Sequence, residues 1–176
     1  ENGLIGAKFA HQDRWFDMDE LPAPELDRID RRLLEAVQRD ARLTTAELAA
    51  QVALSTSPCW RRLKRLEDAG VILGYHARLD SARLGWGVMA FVHILLESHR
   101  AELGAQFEDA VLRIPEVVAC HNVSGQYDFL LQVVARDLRH FGEFARTTIR
   151  TLPGVKEMNS SFSLREVKGG LARPVT

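Results

Sequence analysis

The chain is poor in cysteine and has no recognisable catalytic cluster. Cys59 and Cys120 are the only two cysteines among 176 residues, and neither belongs to a Cys-x-x-Cys pair, which disfavours a disulfide framework or a zinc site. His121 adjoins Cys120, but neighbours in a strand point to opposite faces, which argues against a thiol nucleophile with that base. The six histidines show no metal-ligand spacing. We therefore expect no enzyme, no metal and no resident cofactor.

Long apolar runs and excess charge are also missing. The longest apolar stretches, such as 88–96, contain His93 and are too short to span a membrane. The net charge is −1 and the pI is about 6.7, so the whole chain has no field that attracts nucleic acid or an acidic membrane. We expect a cytoplasmic globular protein in which any affinity for a polyanion is local.

Segment 55–66 concentrates positive charge. It carries four cations without an acid, and hydroxyl residues ahead of Pro58 are typical of a helix start. Cys59, Leu63 and Leu66 recur at helical spacing and give this predicted helix one apolar face. The nearest acids in sequence are Glu67 and Asp68, so we expect the cations to be free.

Two shorter patterns precede the basic helix. Residues 26–37 predict an amphipathic helix, with Asp30 inside its apolar arc but near its start, where an acid is favourable. Thr44 and Glu47 have the spacing of a capping box, which predicts a second short helix. A brief turn then leads into the basic helix. This order predicts a helix-turn-helix that binds double-stranded DNA.

The DNA-binding candidates follow from this layout. Arginine and lysine on the basic helix would contact phosphates or guanine edges, and the small or aromatic residues near its start would meet bases or sugar. The candidates are Thr45, Ser55, Ser57, Trp60, Arg61, Arg62, Lys64 and Arg65. Arg62 lies between two faces, and Thr45 and Ser55 have capping as their alternative role. Partial burial is the alternative for Trp60, and a solvated helix face is the alternative for the whole run.

The second half of the chain predicts a different architecture. Residues 71–79 read as a strand or small hairpin that would form a wing, and 81–87 as a linker. The order βαββαβ over 88–168 is that of a ferredoxin-like domain, and the fold class is α+β. The predicted parts are a flexible arm or tag (1–25), a winged helix-turn-helix (26–80), the linker (81–87), the ferredoxin-like domain (88–168) and a loose tail (169–176).

Residues 123–128 join two predicted strands and form the second candidate site. A hairpin turn around Gly125 is the simpler interpretation. The chemistry also suits a small zwitterion, because backbone N–H groups near a glycine can bind a carboxylate and Asp128 can accept from an ammonium group. The effector-binding candidates are Ser124, Gly125, Gln126, Tyr127 and Asp128.

These motifs together resemble the leucine-responsive regulatory protein and asparagine-regulator (Lrp/AsnC) family of transcriptional regulators. The motifs are Leu26-Asp27-Arg28-Ile29-Asp30, Ser57-Pro58-Cys59, Arg62-Leu63-Lys64-Arg65-Leu66-Glu67, Gly70-Val71-Ile72, Val123-Ser124-Gly125, Tyr127-Asp128 and Leu152-Pro153-Gly154-Val155. The resemblance implies dimers formed by paired sheets, assembly to a higher oligomer such as an octamer, and an amino-acid effector near the Gly125 loop. Family members often carry an acid where this chain has Gln126.

The basic helix is most similar to the cysteine-responsive branch of that family, so cysteine or a branched-chain amino acid is the candidate effector. The leading hypothesis is a DNA-binding transcriptional regulator whose assembly or DNA affinity an amino acid modulates. An effector-independent architectural DNA-binding protein is the first alternative. An enzyme or enzyme-regulatory subunit is the second, because ferredoxin-like domains also accompany metabolic enzymes.

Overall fold

The computed structural model describes residues 24–169 and 172–175, so the predicted arm up to residue 23 lies outside the described residues. The described chain divides into two compact units. The first contains residues 24–76 with 172–175, and the second contains residues 77–169. Within these ranges, no helix combines the length and the apolar character needed to cross a membrane.

The first unit consists of three helices, α1 (Arg28–Arg39), α2 (Thr45–Gln51) and α3 (Thr56–Asp68). The capping box predicted for α2 is confirmed. Thr44 Oγ1 accepts from the N–H of Glu47, and Glu47 Oε2 accepts from the N–H of Thr44 at 2.7 Å. Gly70 follows α3 with a φ of +69°, a conformation that suits a residue without a Cβ, and it ends the helix where the sequence predicts.

One small core holds the three helices together. Its buried members come from the apolar face of each helix and from the turn after α2; they are Leu33, Ala36, Val37, Leu48, Ala49, Val52, Cys59 and Leu63. The periodicity of the sequence predicts these positions because residues three and four apart share a helix face. The helix-turn-helix arrangement is therefore fixed by packing.

The strand or hairpin predicted over 71–79 is not observed: the described residues from Val71 to Asp80 form no strand. Leu73, Tyr75 and Leu79 are exposed instead of packed. An extended segment becomes a strand only when a neighbour accepts and donates its backbone hydrogen bonds, and none of the described strands pairs with this segment. The alternation of its residues therefore predicted an extended backbone but not its pairing.

The second unit has the predicted order βαββαβ. Its elements are β1 (Val88–Leu96), α4 (Ala101–Val111), β2 (Val117–Asn122), β3 (Phe129–Ala135), α5 (Leu138–Thr147) and β4 (Val155–Phe162), with a 3-10 turn at Ile149–Thr151 before β4. The four strands form one antiparallel sheet in the order β2-β3-β1-β4. This confirms the ferredoxin-like architecture, in which two split βαβ halves interleave.

The two faces of the sheet differ. Both helices cover one face, where Val92 of β1 and Leu131 of β3 are fully buried and Phe107 of α4 packs on Phe129 with ring centroids 4.6 Å apart. Successive side chains of a strand point to opposite faces. The alternate residues of β1 therefore lie on the other face, which no helix covers; they are Met89, Phe91, His93 and Leu95.

The C-terminal part of the chain differs from expectation at two points. The predicted ferredoxin-like domain extends to residue 168, but its final strand ends at Phe162, which pairs with Ala90. Beyond it, the N–H of Ser163 still donates to the carbonyl oxygen of Met89, and β1 begins one residue earlier, at Val88. The tail was expected to be loose, but Arg173 is hydrogen-bonded to the first unit. Its N–H donates to Gln38 Oε1 at 2.5 Å, and Gln38 Nε2 donates to its carbonyl oxygen at 3.1 Å.

Candidate DNA interface and effector cleft

Two arginines of α3 are bound by acids at the start of α1. Arg62 Nη1 lies 2.6 Å from Asp27 Oδ2 and 2.9 Å from Asp30 Oδ1. Arg65 Nη2 lies 2.5 Å from Asp30 Oδ2. Asp30 is completely buried, whereas the side chain of Arg65 is half exposed. A buried carboxylate is tolerated only when its oxygens are hydrogen-bonded, and these arginines supply the bonds.

The same two acids also cap α1. The N–H groups of Ile29 and Asp30 both donate to Asp27 Oδ1 at 2.8 Å, and the N–H of Asp27 donates back to Asp30 Oδ2 at 3.1 Å. These backbone bonds and the Arg62 guanidinium lower the pKa of Asp27 from 3.8 to about 2. The carboxylate of Asp27 in turn raises the pKa of Arg62, with Asp30 adding to the effect. The same two carboxylates therefore cap α1 and hold α3 in place through Arg62.

The expectation that no acid neutralises the basic helix before Glu67 is therefore wrong. Asp27 and Asp30 are more than 30 residues away in sequence, and only the packing of α1 on α3 brings them close. Lys64 is also paired, with Nζ 2.9 Å from Asp68 Oδ1, and this acid raises the pKa of Lys64. Among the described residues, Arg61 is the one cation of α3 without an ion pair.

The remaining DNA-binding candidates lie on the exposed side of the helix-turn-helix. Ser55 and Ser57 are exposed at the start of α3, and the side chain of Ser55 makes no capping bond there. Trp60 is 56% exposed, so the alternative of partial burial does not hold for most of its surface. Thr45, Trp60 and Lys64 line one shallow cleft of about 230 Å³. Polar groups and an indole ring thus share one surface.

The loop around Gly125 is an exposed hairpin connection. Gly125 has a φ of +120°, a backbone conformation that favours glycine, and Ser124 and Gln126 are exposed beside it. Tyr127 points back to the sheet, where its ring centroid lies 5.1 Å from that of His93. The tip of the loop therefore lies on the surface of a single chain.

Asp128 occupies a different environment from the rest of this loop. Its Oδ2 accepts from the N–H of Leu96 at 2.7 Å, and its Oδ1 lies 3.1 Å from His99 Nδ1. The side chain is only 18% exposed and lines a cleft of about 330 Å³ beside the start of α4. Other residues of this cleft are Ser98, Arg100, Ala101, Gly104, Glu108 and Asn122.

Sequence reasoning missed these partners of Asp128. The polar run from Ser98 to Arg100 lies between two periodic elements, and such runs usually form ordinary loops. Arg100 is the N-cap of α4, and its side chain makes no capping bond. A positively charged side chain and a helix N-terminus thus share a cleft with two acids, Asp128 and Glu108. This arrangement can bind a molecule that carries both charges.

Comparison with known proteins decides the family. The model described as "Lrp/AsnC ligand binding domain" matches residues 89–172, and the model described as "Winged helix-turn-helix DNA-binding" matches residues 26–72. The DNA-binding transcriptional activator DecR of Escherichia coli is 39% identical over 85% of this chain and 99% of its own length. The chain belongs to the Lrp/AsnC family. It is a DNA-binding transcriptional regulator with the ligand-binding domain of that family.

Further relatives agree with this assignment. The leucine-responsive regulatory protein of E. coli is 37% identical over 86% of this chain and 93% of its own length. A transcriptional regulator from Neisseria meningitidis, solved as a complex with L-Met, has a TM-score of 0.81 and 37% identity, covering 85% of this chain and 97% of its own. An AsnC family regulator from Agrobacterium tumefaciens has a TM-score of 0.80 and 36% identity over the same shares of the two chains.

Replacing the buried acid of this Lrp/AsnC regulator tests the network. We expect Asp30→Asn to lower the free energy of unfolding by about 1–3 kcal/mol, because charged hydrogen bonds to Arg62 and Arg65 are lost at a dry site. The control Asp68→Asn removes the exposed partner of Lys64 and should cost less than about 1 kcal/mol. Urea denaturation followed by circular dichroism measures both values. Equal losses in the two variants would contradict the structural role of Asp30.

Proposed function

We propose that this regulator binds DNA through the exposed stripe of α3, as a homodimer of cytoplasmic location, and that an amino acid bound in the Asp128 cleft changes its assembly or DNA affinity. It acts by binding and not by catalysis. The observation that carries the proposal is the division of the cations of α3 between a pair bound by the acids of α1, Arg62 and Arg65, and an exposed stripe that contains Arg61 and Lys64. The family assignment supports the partner class, and the contacts below support the residue roles.

The DNA-contacting stripe follows from helix geometry. Ser57, Arg61 and Lys64 recur at spacings of four and three residues, so they lie on one side of α3, with Trp60 beside them. Arg61 is free to bind a phosphate or a guanine edge. Lys64 can exchange Asp68 for a phosphate at little cost, since an exposed ion pair contributes at most about 1 kcal/mol.

Arg62 and Arg65 take a different role in this proposal. Both guanidinium groups are bound by Asp30, so releasing either one for DNA would remove one of the two charged partners of a buried carboxylate. We infer that they set the rotation of α3 about its axis. Thr45 and Ser55 remain candidates for phosphate contacts at the starts of α2 and α3, where N–H groups point outward.

The cleft beside α4 suits the two ends of an amino acid. The N-terminus of α4 and Arg100 favour a carboxylate. Asp128 and Glu108 favour an ammonium group, and each oxygen of Asp128 can accept a second hydrogen bond. Gly104 and Ala105 are small and leave space for an effector side chain. Ser124, Gly125, Gln126 and Tyr127 would contact the effector only if assembly brings their loop to a neighbouring copy.

The uncovered face of the sheet supports a dimer. Phe91 is 36% exposed at its centre, with Val118 of β2 53% exposed on a neighbouring part of the sheet. Gln132 of β3 lies between Phe91 and the strand that carries Val118, so the apolar surface is interrupted. An exposed apolar surface on a sheet face that no described helix covers still favours an interface. Pairing of two such faces would bury it and would give each dimer two copies of α3. Further assembly to a higher oligomer, such as an octamer, is the family-based extension of this proposal.

The DNA contact is tested at the unpaired cation. We expect Arg61→Ala to weaken binding to the protein's own promoter by about tenfold or more, since a lost base contact costs about 1–3 kcal/mol. Arg42→Ala is the matched control, because Arg42 is exposed but paired with Asp40. Fluorescence anisotropy with labelled promoter DNA measures both affinities. If Arg61→Ala bound as tightly as the Arg42 variant, the assigned contact would be refuted.

The dimer interface is tested on the open sheet face. We expect Phe91→Glu to shift the protein from dimer to monomer, because pairing the faces would bury a carboxylate in each copy. Leu112→Glu introduces the same charge at a residue that is 69% exposed after α4 and should leave the mass unchanged. Light scattering after size exclusion gives the masses. A Phe91→Glu variant with the wild-type mass would exclude this face as the interface.

The effector site is tested by thermal shift with the twenty proteinogenic amino acids, including cysteine, methionine and the branched-chain group. A ligand present at about 100 times its Kd should stabilise the protein by about 2.7 kcal/mol and raise Tm by several degrees. Arg100→Gln should abolish the shift, and Arg113→Gln, exposed at the other end of α4, should retain it. No shift with any amino acid would favour the architectural alternative, which needs no effector.

A further inference from the structure

The outward face of α1 is rich in arginine that no acid binds. Within the described residues, none of the four arginines of α1 takes part in an ion pair. They are Arg28, Arg31, Arg32 and Arg39. Glu35 is the only acid among them on the exposed side. Most of the cations of α3 are neutralised internally, so the free positive charge of the first unit lies mainly on α1.

Helix geometry gathers this charge into a stripe. At 3.6 residues per turn, Arg28, Arg32 and Arg39 point within about 40° of one another and span about 16 Å along α1. Glu35 lies within about 60° of all three, one turn from Arg32 and one turn from Arg39, so the stripe carries three cations and one acid. The buried residues of α1, including Leu33 and Val37, lie on the opposite side. Asp30 also lies there, bound to the arginines of α3. The stripe therefore faces away from α3, and DNA lying on it would be a different stretch from the one that α3 contacts.

The C-terminal tail adds a cation to the same surface. Gln38 is exposed on α1, on the same side as Arg31 and two turns further along, and its amide both donates to and accepts from the backbone of Arg173. Two hydrogen bonds to one residue fix the position of the chain at this point. The exposed side chain of Arg173 thereby joins the arginines of α1 without an ion pair of its own in the described chain.

We propose that this arginine face, formed by Arg28, Arg31, Arg32, Arg39 and Arg173, is a second binding surface for duplex DNA that holds the phosphate backbone flanking the segment contacted by α3. The proposal rests on the proposed DNA binding by α3. Duplex DNA carries about one negative charge per 1.7 Å of its axis with both strands counted, so the length of duplex beside a 16 Å stripe has about nine phosphates, of which those on the near side can be contacted. Arginine suits them because its planar group donates two parallel hydrogen bonds to a phosphate.

The arginine face does not distinguish one DNA sequence from another. Its arginines project from a helix exterior and do not include the small polar residues that read base edges at the start of a recognition helix. It should therefore strengthen binding to long DNA without changing the preferred site. A chain with a net charge of −1 would gain most from such a local surface, because the rest of the protein provides no general attraction.

Salt dependence tests the proposal. The triple variant Arg28→Gln, Arg32→Gln and Arg39→Gln keeps good helix formers at all three positions. On a duplex long enough to flank the promoter site, three lost phosphate contacts should make the fall in affinity between about 50 and 200 mM salt about 40-fold smaller. On a short duplex limited to the segment contacted by α3, the variant should match the wild type. Replacement of the same residues by lysine should restore most of the salt dependence.

A second variant tests the contribution of the tail. Gln38→Ala removes no charge, but it releases Arg173, so it should reduce the salt dependence on the long duplex as much as Arg173→Gln does. Arg42→Gln, which loses an exposed arginine already paired with Asp40, is the control and should change little. Melting temperatures check that each variant is folded.

The outcomes separate this proposal from the one on which it rests. An unchanged salt dependence of the triple variant on the long duplex, or an equal reduction on both duplexes, would overturn the α1 surface. If that result came with the expected loss for Arg61→Ala, DNA binding by α3 would stand. If Arg61→Ala had no effect while the triple variant lost its salt dependence on the long duplex, the α1 surface would stand and the assigned α3 contact would fail.

Discussion

The bond between Asp30 and the two arginines of α3 is the constraint on which the DNA-binding unit depends. A carboxylate with no exposed surface would cost several kcal/mol if its oxygens were left without partners. Arg62, Arg65 and the backbone N–H of Asp27 remove that cost. Because the two arginines occupy one side of α3, the bond also fixes how the helix is turned. Apolar packing alone allows a helix to rotate by several degrees. The three hydrogen bonds that Arg62 and Arg65 donate to Asp27 and Asp30 are directional and allow much less rotation of α3.

This constraint also redistributes charge. Arg62 and Arg65 look available for DNA in the sequence, but both form ion pairs with Asp30. Lys64 forms an ion pair with Asp68. What remains outward on α3 is a narrow stripe around Arg61, while the arginines of α1 stay unpaired among the described residues. A basic helix can thus be basic for a structural reason, and counting its lysines and arginines overstates the charge that it offers to a polyanion.

Asp128 in the second unit follows the same physical rule with a different result. Its carboxylate accepts from the N–H of Leu96 just beyond the last β1–β3 pair, so it continues the hydrogen bonding at the end of that ladder. It is nevertheless partly accessible from the cleft beside α4. Asp128 therefore belongs both to the backbone hydrogen-bond pattern and to the cleft. A molecule bound in the cleft would contact a residue that helps to position β1 relative to α4. The remaining loop residues, including Gly125, lie outside the cleft.

The sequence by itself determined the local structure, namely the three helices, the capping box at Thr44 and the βαββαβ order, because periodicity and caps depend on residues only a few positions apart. Its motifs also indicated the family. Tertiary structure decided what depends on distant residues. It placed Asp30 against Arg62 and Arg65, brought Asp128 into a cleft with Arg100, and left residues 71–79 without a strand partner among the described residues. Ion pairs, clefts and strand pairing require two segments to lie close together in space. The spacing of residues along one segment does not predict which distant segment it will contact.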